Sequence, residues 1–237
     1  MPFLPTSASA HARPSMQIIT IGRQSIINAA FEDFSLIADQ FPLIDIFVFD
    51  TPAVDNEWTL FQYEEWFQNI LSVINRHAAP NAALILIPQN RKGGTWLKST
   101  ATASIIQSSE WNVCRHIIWK QKQADFHRAG YPFREIFFFR RGTRPMNNKS
   151  SLRYKDIIDI KAPQSSGYGG EIPVEIIKAC ISLFYQPGDI VMDPFAGTGS
   201  VAAACYELDY TSISIELDQE TYENIVKRVK GLKGRLI

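Results

Sequence analysis

Val191-Met192-Asp193-Pro194-Phe195-Ala196-Gly197-Thr198-Gly199-Ser200 is the stretch whose reading decides the fold. The mostly apolar run from Asp189 to Met192 predicts a buried strand ending at Asp193. Ser200-Val201-Ala202-Ala203-Ala204 predicts a helix behind a glycine-punctuated turn. Glycine at 197 and 199 lets a ligand lie against bare backbone and permits dihedrals that a side chain forbids. The helix N-terminus behind the turn offers unpaired N–H groups. Strand, glycine turn and helix in this order make a nucleotide or cofactor cradle at the carboxyl edge of a parallel sheet.

The next strand narrows the ligand. Thr211-Ser212-Ile213-Ser214-Ile215 ends in Glu216, about 20 residues beyond the glycines, where an acid can bind the two hydroxyls of a ribose. The loop lacks a full G-x-G-x-x-G and has no Gly-Lys-Ser/Thr, which weakens the dinucleotide and P-loop alternatives. Phe-x-Gly-x-Gly preceded by Asp-Pro, with an acid ending the next strand, resembles the cofactor motif of S-adenosylmethionine-dependent DNA amino-methyltransferases. The resemblance implies that Phe195, Ala196, Gly197, Thr198, Gly199 and Ser200 line S-adenosylmethionine and that Glu216 takes its ribose hydroxyls. It also implies that Leu217 flanks the adenine, and that Asp193 supports the loop or lies near the amino-acid end of the cofactor.

A second strand carries the chemistry. Asp45-Ile46-Phe47-Val48-Phe49-Asp50 reads as a buried strand ending in an acid, followed by Thr51-Pro52-Ala53. Strand ends at a carboxyl edge gather round one crevice, so Asp50 can face the glycine loop. The amino-methyltransferases hold Asp-Pro-Pro-aromatic or Ser-Pro-Pro-aromatic here. An exocyclic amine of adenine or cytosine has its lone pair delocalised into the ring. A carboxylate and a backbone carbonyl accepting its two N–H bonds pull the nitrogen towards tetrahedral geometry, and the aromatic stacks on the flipped base. Asp50, Thr51 and Pro52 are the catalytic candidates, with Thr51 replacing a proline and Ala53 the stacking aromatic; Trp58 or Phe61 could substitute. Asp at 50 favours adenine N6 over cytosine N4.

The Asp50 site precedes the cradle by about 140 residues, an order that resembles the beta class of these enzymes over roughly residues 16–231. Within it, Ile172 stands before Pro173 where that class has lysine, and Arg23 follows Gly22 where it often has Asp. Ala53 and Ile172 motivate an alternative: a methyltransferase-like subunit that no longer catalyses and instead presents DNA or scaffolds an active partner. The resemblance implies a doubly wound, mostly parallel, seven-stranded α/β sheet with one antiparallel edge strand.

Composition agrees with one sizeable globular domain of 237 residues, 46% hydrophobic and 20% charged. Residues 1–15 read as a disordered leader and 16–237 as the domain. No apolar run approaches the ~20 residues needed to span a membrane. Cys114, Cys180 and Cys205 are scattered, without a disulfide or zinc pattern, consistent with a cytoplasmic protein. The 24 basic and 24 acidic residues hide an asymmetry, because Arg115 to Lys155 holds 11 Lys/Arg against two acids. Such an excess suits a phosphate-tracking surface for double-stranded DNA, with Arg140, Arg141, Arg144, Lys149, Arg153 and Lys155 as contacts.

Strands are expected at 17–21, 45–50, 83–87, 115–119, 134–139, 189–193 and 211–216, and helices at 25–38, 59–77, 97–108, 173–185, 199–208 and 218–231. Residues 141–170 have no periodicity and form a basic variable loop, a candidate target-recognition insert that is mobile without DNA. So short an insert points to a homodimer or a second methyltransferase subunit. His116 reads as a structural histidine, and His127 is left without a role.

Overall fold

The computed structural model describes residues 16–52, 59–88, 98–120, 133–160 and 171–233. Its elements are β1 (Gln17–Ile21), β2 (Gln24–Asn28), β3 (Ile44–Phe49), α1 (Leu60–His77), β4 (Ala78–Leu86), α2 (Lys98–Gln107) and β5 (Asn112–Lys120). There follow β6 (Phe133–Arg140), β7 (Ile157–Ile158), α3 (Val174–Ser182), β8 (Ile190–Asp193), α4 (Ser200–Glu207), β9 (Thr211–Glu216) and α5 (Gln219–Lys233). One sheet runs β1-β2-β9-β8-β3-β4-β6-β5-β7. Strands β2, β9, β8, β3 and β4 are mutually parallel, whereas β6 runs antiparallel to β4 and β5, and β1 antiparallel to β2. The mostly parallel, doubly wound sheet is the architecture expected, with β1 and β7 added outside the seven central strands.

Helices cover both faces. Helices α1 and α2 seal a core containing Phe47, Phe49, Leu84, Met192 and Ile215. Across the sheet, α3 and α4 pack on Ile46, Val48, Ile85, Ile136, Phe138 and Val191. Helix α5 closes the same face over β1 and β2 through Tyr222, Ile225 and Val229. Alternation along β3 therefore sends odd-numbered Phe47 and Phe49 to one side, and even-numbered Ile46 and Val48 to the other.

One expected element is wrong. Residues 25–38 do not form a helix: 24–28 are β2, and 31–36 and 38–40 are short 3-10 turns. The apolar spacing of Ile26, Ile27, Ala30, Phe31 and Phe34 mimics a helical face. A two-residue turn at Gly22-Arg23 instead folds Ser25 to Ile27 back on β1, and β9 pairs with the other side of β2. Two neighbouring strands outweigh local helical preference.

The basic stretch also needs correction. Arg140 pairs in register with Ala83 of β4, which is level with Ile46 near the start of β3, so Arg140 and the chain beyond it lie towards the amino edge of the parallel strands, opposite Asp50 and the cradle. Arg144 is 4% exposed and bridges the amino edge: it ion-pairs with Asp189, lies 3.8 Å from Asp45, and donates to the carbonyls of Phe184 and Asn81. Arg140 donates to the Arg144 carbonyl, and Arg141 pairs with Glu110. These three guanidinium groups tie the fold together rather than facing a ligand at the crevice. Arg153 donates to the Met146 carbonyl at 2.8 Å, while Lys149 and Lys155 are exposed. Within 141–160 the chain is ordered by this network, by a 3-10 turn at 151–154 and by β7. Residues 1–15 and 161–170, Ala53, Trp58 and His127 lie outside the described residues.

Arg144→Met is accordingly expected to destabilise the fold by about 3–5 kcal/mol, since it strips the partner from a buried carboxylate. The measurement is the midpoint of urea unfolding. An unchanged midpoint with weakened DNA binding would restore Arg144 to the DNA surface. Among the described residues, no helix is long and apolar enough to cross a membrane.

Candidate active site at the carboxyl edge

The cradle is held by its own backbone. Asp193 ends β8, and its Oδ1 accepts the Phe195 N–H at 3.0 Å. The Ala196 N–H donates to the Ile215 carbonyl and the Gly199 N–H to the Ala196 carbonyl, both at 2.8 Å, which folds the loop back on β9. Gly199 caps α4 at φ 77°, against Ile225 of α5. Glu216, at the end of β9, is aimed by two donors: the Gly197 N–H reaches Oε2 at 2.8 Å and the Asp218 N–H reaches Oε1 at 2.9 Å. Each carboxylate oxygen keeps lone-pair capacity for a hydroxyl.

Beside this loop opens a cleft of about 500 Å3, lined by Gly197, Thr198, Glu216, Glu171, Asn224 and Arg228 among others. Arg228 of α5 donates through Nη1 to Glu171 Oε1 at 2.7 Å and to the Thr198 carbonyl at 2.8 Å. It thereby fastens the segment before α3 to the glycine loop. Leu217 is exposed at the rim, and the Asn28 amide donates to the carbonyls of both Glu216 and Leu217. Thr198 and Ser200 hydroxyls lie 3.4 Å apart, with Ser200 buried in the first turn of α4. Phe195 differs from expectation. Its ring sits 5.9 Å from those of Phe31, Phe49 and Trp66 and is part of the α1 core, so the residue anchors the loop from behind.

At Asp50 the chain leaves β3 as expected. Thr51 is buried, and its hydroxyl accepts from Tyr63 Oη at 3.0 Å, which in turn lies 2.6 Å from Thr102 Oγ1. This Thr51–Tyr63–Thr102 chain ties the Asp50 turn to α1 and α2. It fixes Thr51, the residue that stands where the resembled motif has a proline. Pro52 is exposed. The start of α1 is fixed by a capping box between Thr59 and Gln62. Tyr63, Trp66 and Phe67 join the α1 core, whereas Phe61 is 73% exposed and lies on the helix side opposite Tyr63. His116 stacks on Phe137 at 4.5 Å and pairs with Glu135, as a structural histidine does.

Strand register collects the ionisable groups on one face. Val48, Val191 and Ile136 point into the α3–α4 core, so Asp50, Asp193 and Arg134, each two residues further along or back at the carboxyl edge, point the same way. Burial pushes the Asp193 carboxyl up to about 8, against the Phe195 N–H, with Glu216 and Asp50 adding repulsion. Burial likewise raises Glu216, opposed by the N–H groups of Asp218 and Gly197. Arg134 is 5% exposed, with its guanidinium 5.5 Å from the centre of the Trp119 ring. Burial lowers its pKa and the nearby Asp50 carboxylate raises it. Neither Arg134, Arg228, Asn28 nor the Tyr63 relay stands out in the sequence. A lone arginine inside the apolar run Phe133–Phe139 is the one signal that could have found Arg134.

Known proteins resemble this chain in sequence and in fold. The chain is 36% identical over 69 residues to the Type II methyltransferase M.Cfr9I of Citrobacter freundii, covering 29% of this chain and 23% of that one. It is 24% identical over 173 residues to the Type II methyltransferase M.XycI of Xanthomonas campestris pv. cyanopsidis, covering 67% and 56%. The chain thus matches at most about half the length of these curated relatives. Among solved structures, the M1.HpyAVI–SAM complex superposes with a TM-score of 0.68 at 22% identity, covering 86% of this chain and 99% of that one, a likeness of fold. The family model described as DNA methylase, for N6 and N4 enzymes, matches residues 44–228, from the start of β3 through the Asp50 turn and the glycine cradle into α5; the chain belongs to that DNA methylase family.

Proposed function

We propose that this chain transfers a methyl group from S-adenosylmethionine to an exocyclic amino nitrogen of adenine or cytosine in duplex DNA. The observation that carries the proposal is the convergence of Asp50 and the cradle, about 140 residues apart in sequence, on one face of one sheet edge. The residues present suit the cofactor. Glu216 is a carboxylate pre-aimed by two N–H groups, Gly197 leaves its Cα open to the cleft, and Leu217 offers an apolar rim. Glu216 would hold the ribose hydroxyls, Gly197 and Thr198 the body of the molecule, and Leu217 the adenine.

When bound, S-adenosylmethionine supplies a methyl group activated on a sulfonium. The chain's task is to present the amine. Asp50 accepts one N–H of the base and the Thr51 carbonyl the other, which draws the nitrogen lone pair out of the ring and aims it. Hydrogen bonding of the Thr51 hydroxyl to Tyr63 holds that carbonyl in place. The proton released from the methylated nitrogen passes to Asp50 or to solvent. Positioning of this kind can supply most of a displacement's acceleration. The base must leave the duplex stack to bring its amine against a half-buried carboxylate at a strand end.

Two measurements test the proposal. Calorimetry should detect stoichiometric S-adenosylmethionine binding, and labelled methyl should reach unmethylated duplex DNA, with nucleoside analysis of the product naming the base. A silent titration removes the cofactor. Binding without transfer to any duplex removes the catalytic assignment.

A further inference from the structure

We propose that Arg228 is a positioning residue for the cofactor: through one nitrogen it clasps Glu171 to the Thr198 carbonyl, and so holds the glycine loop and the segment before α3 at the spacing that S-adenosylmethionine binding requires. The inference deepens the methylase reading and rests on it for the identity of the ligand.

The periodicity of α5 delivers the residue. Tyr222, Ile225 and Val229 recur at spacings of three and four and bury one stripe of the helix. Thr221, Asn224 and Arg228 recur at the same spacings one position earlier, and all three line the cleft. The helix is also fixed against the loop. Asp218 accepts the Thr221 N–H at 2.8 Å at its start, and Ile225 packs so closely on Gly199 that an added Cβ would stand 2.8 Å from Ile225 Cγ2. Arg228 follows about one turn later, within reach of the residue that precedes Gly199.

What it reaches there is a carbonyl outside the helix ladder. The α4 bonds begin with the Ala203 N–H donating to the Gly199 carbonyl at 3.0 Å, so the Thr198 carbonyl lies one residue too early to join them. Arg228 Nη1 donates to it at 2.8 Å and to Glu171 Oε1 at 2.7 Å. An Nη nitrogen carries two N–H bonds, so one atom makes both contacts at once. The Glu171 side chain is 8% exposed, which shelters the ion pair from the screening that weakens surface pairs. Beyond Glu171, Ile172 packs against the α3–α4 core. The segment before α3 is therefore anchored twice, by Ile172 in the core and by Glu171 on Arg228.

The clasp closes on the wall that the cofactor would touch, because Glu171, Thr198 and Arg228 line the same cleft as Gly197 and Glu216. Glu216 and Gly197 are joined by their own bond at 2.8 Å. Arg228 adds the link from the next loop residue to a third segment of the chain. Removing the guanidinium cuts that link and leaves the Glu216–Gly197 bond in place.

The test is calorimetry with S-adenosylmethionine on the wild type, Arg228→Met and Arg228→Lys, beside urea unfolding of each protein. Methionine keeps an apolar stem without donors, and affinity should fall about tenfold or more, the scale of a lost charge-assisted pair. Lysine carries its N–H bonds on one nitrogen, so it should restore binding to within about threefold of the wild type. That rescue separates the clasp from packing, which both stems supply. Glu171→Ala cuts the clasp from its other end and should weaken binding in the same direction, so it reports if Arg228→Met does not fold. Without ligand, hydrogen exchange at the Ala196 and Gly199 amides should quicken about tenfold in the methionine variant and stay near wild type in the lysine variant. Methionine-variant affinity within about twofold of the wild type, or a lysine variant no better than methionine, overturns the proposal whatever the urea midpoints. Wild-type protein that binds no S-adenosylmethionine would remove the cofactor reading and this role with it, whereas wild-type binding that Arg228→Met leaves intact removes the role alone.

Discussion

Asp50→Ala is expected to lower methyl transfer to duplex DNA by about a thousandfold or more, with S-adenosylmethionine affinity nearly unchanged. The size follows from what the side chain does. A positioned polar group whose interaction strengthens as the reaction proceeds is worth about 10²–10³ in rate, and proton acceptance adds a comparable factor. Asp50 would serve both ends, as acceptor for the amine and as a route for its proton. Asp50→Asn should fall between the two, because the amide oxygen can accept one N–H but cannot take the proton. Cofactor affinity is the control. Glu216, Gly197 and Thr198 line the cleft on β9 and the glycine loop, and Asp50 is not among its lining residues. A variant that loses cofactor binding as well as transfer would mean that Asp50 shapes the cleft, and would sink its assignment to the amine. The milder Tyr63→Phe variant removes the hydroxyl that ties Thr51 to Thr102 and should reduce turnover without touching Asp50.

What the sequence disclosed and what it hid divide along a physical line. The cradle was legible because its determinants are local: an acid closing an apolar strand, glycines where the backbone turns left-handed, and a second acid one β-α-β unit later. The Asp50 strand was legible for the same reason. Elements set by distant partners were not. Ser25 to Ile27 became strand because β1 and β9 were there to pair with it, although its apolar spacing suits a helix. Arg144 sits in a run of Gly, Thr, Pro and Asn that reads as an exposed basic loop. Its partners Asp189, Asp45 and Phe184 come from other parts of the chain, and only the folded sheet shows that its charge is spent internally. Arg134 was hidden by its place in a largely apolar strand and by the Trp119 ring of the neighbouring strand that lies under it. Counting charges along the chain found a real excess between 115 and 155 but could not say which end of the sheet each charge occupies.

Gly199→Val is expected to cost about 2–5 kcal/mol of stability, enough to leave a domain of ordinary stability largely unfolded at moderate urea concentrations. Two separate penalties combine. At φ 77° the backbone lies in the left-handed region, where a branched side chain costs roughly 1–2 kcal/mol or more. A Cβ there would also stand 2.8 Å from Ile225 Cγ2, so α5 would have to shift away from the start of α4, a misfit costing about 1–3 kcal/mol in a packed core. Gly197 is the informative contrast. Its φ is 51°, but the nearest atom to an added Cβ is the Phe195 carbonyl oxygen at 3.9 Å, and the glycine lines the cleft. Gly197→Ala should therefore cost only the dihedral penalty, about 1–2 kcal/mol, while its methyl projects where the cofactor would lie. Urea unfolding and S-adenosylmethionine calorimetry on the two variants separate the effects: Gly199→Val loses stability first, and Gly197→Ala loses affinity first, by about tenfold if the methyl displaces a single close contact worth ~1.4 kcal/mol. Equal losses of both quantities in both variants would mean that the two glycines serve one structural purpose, and that Gly197 is not kept bare for a ligand.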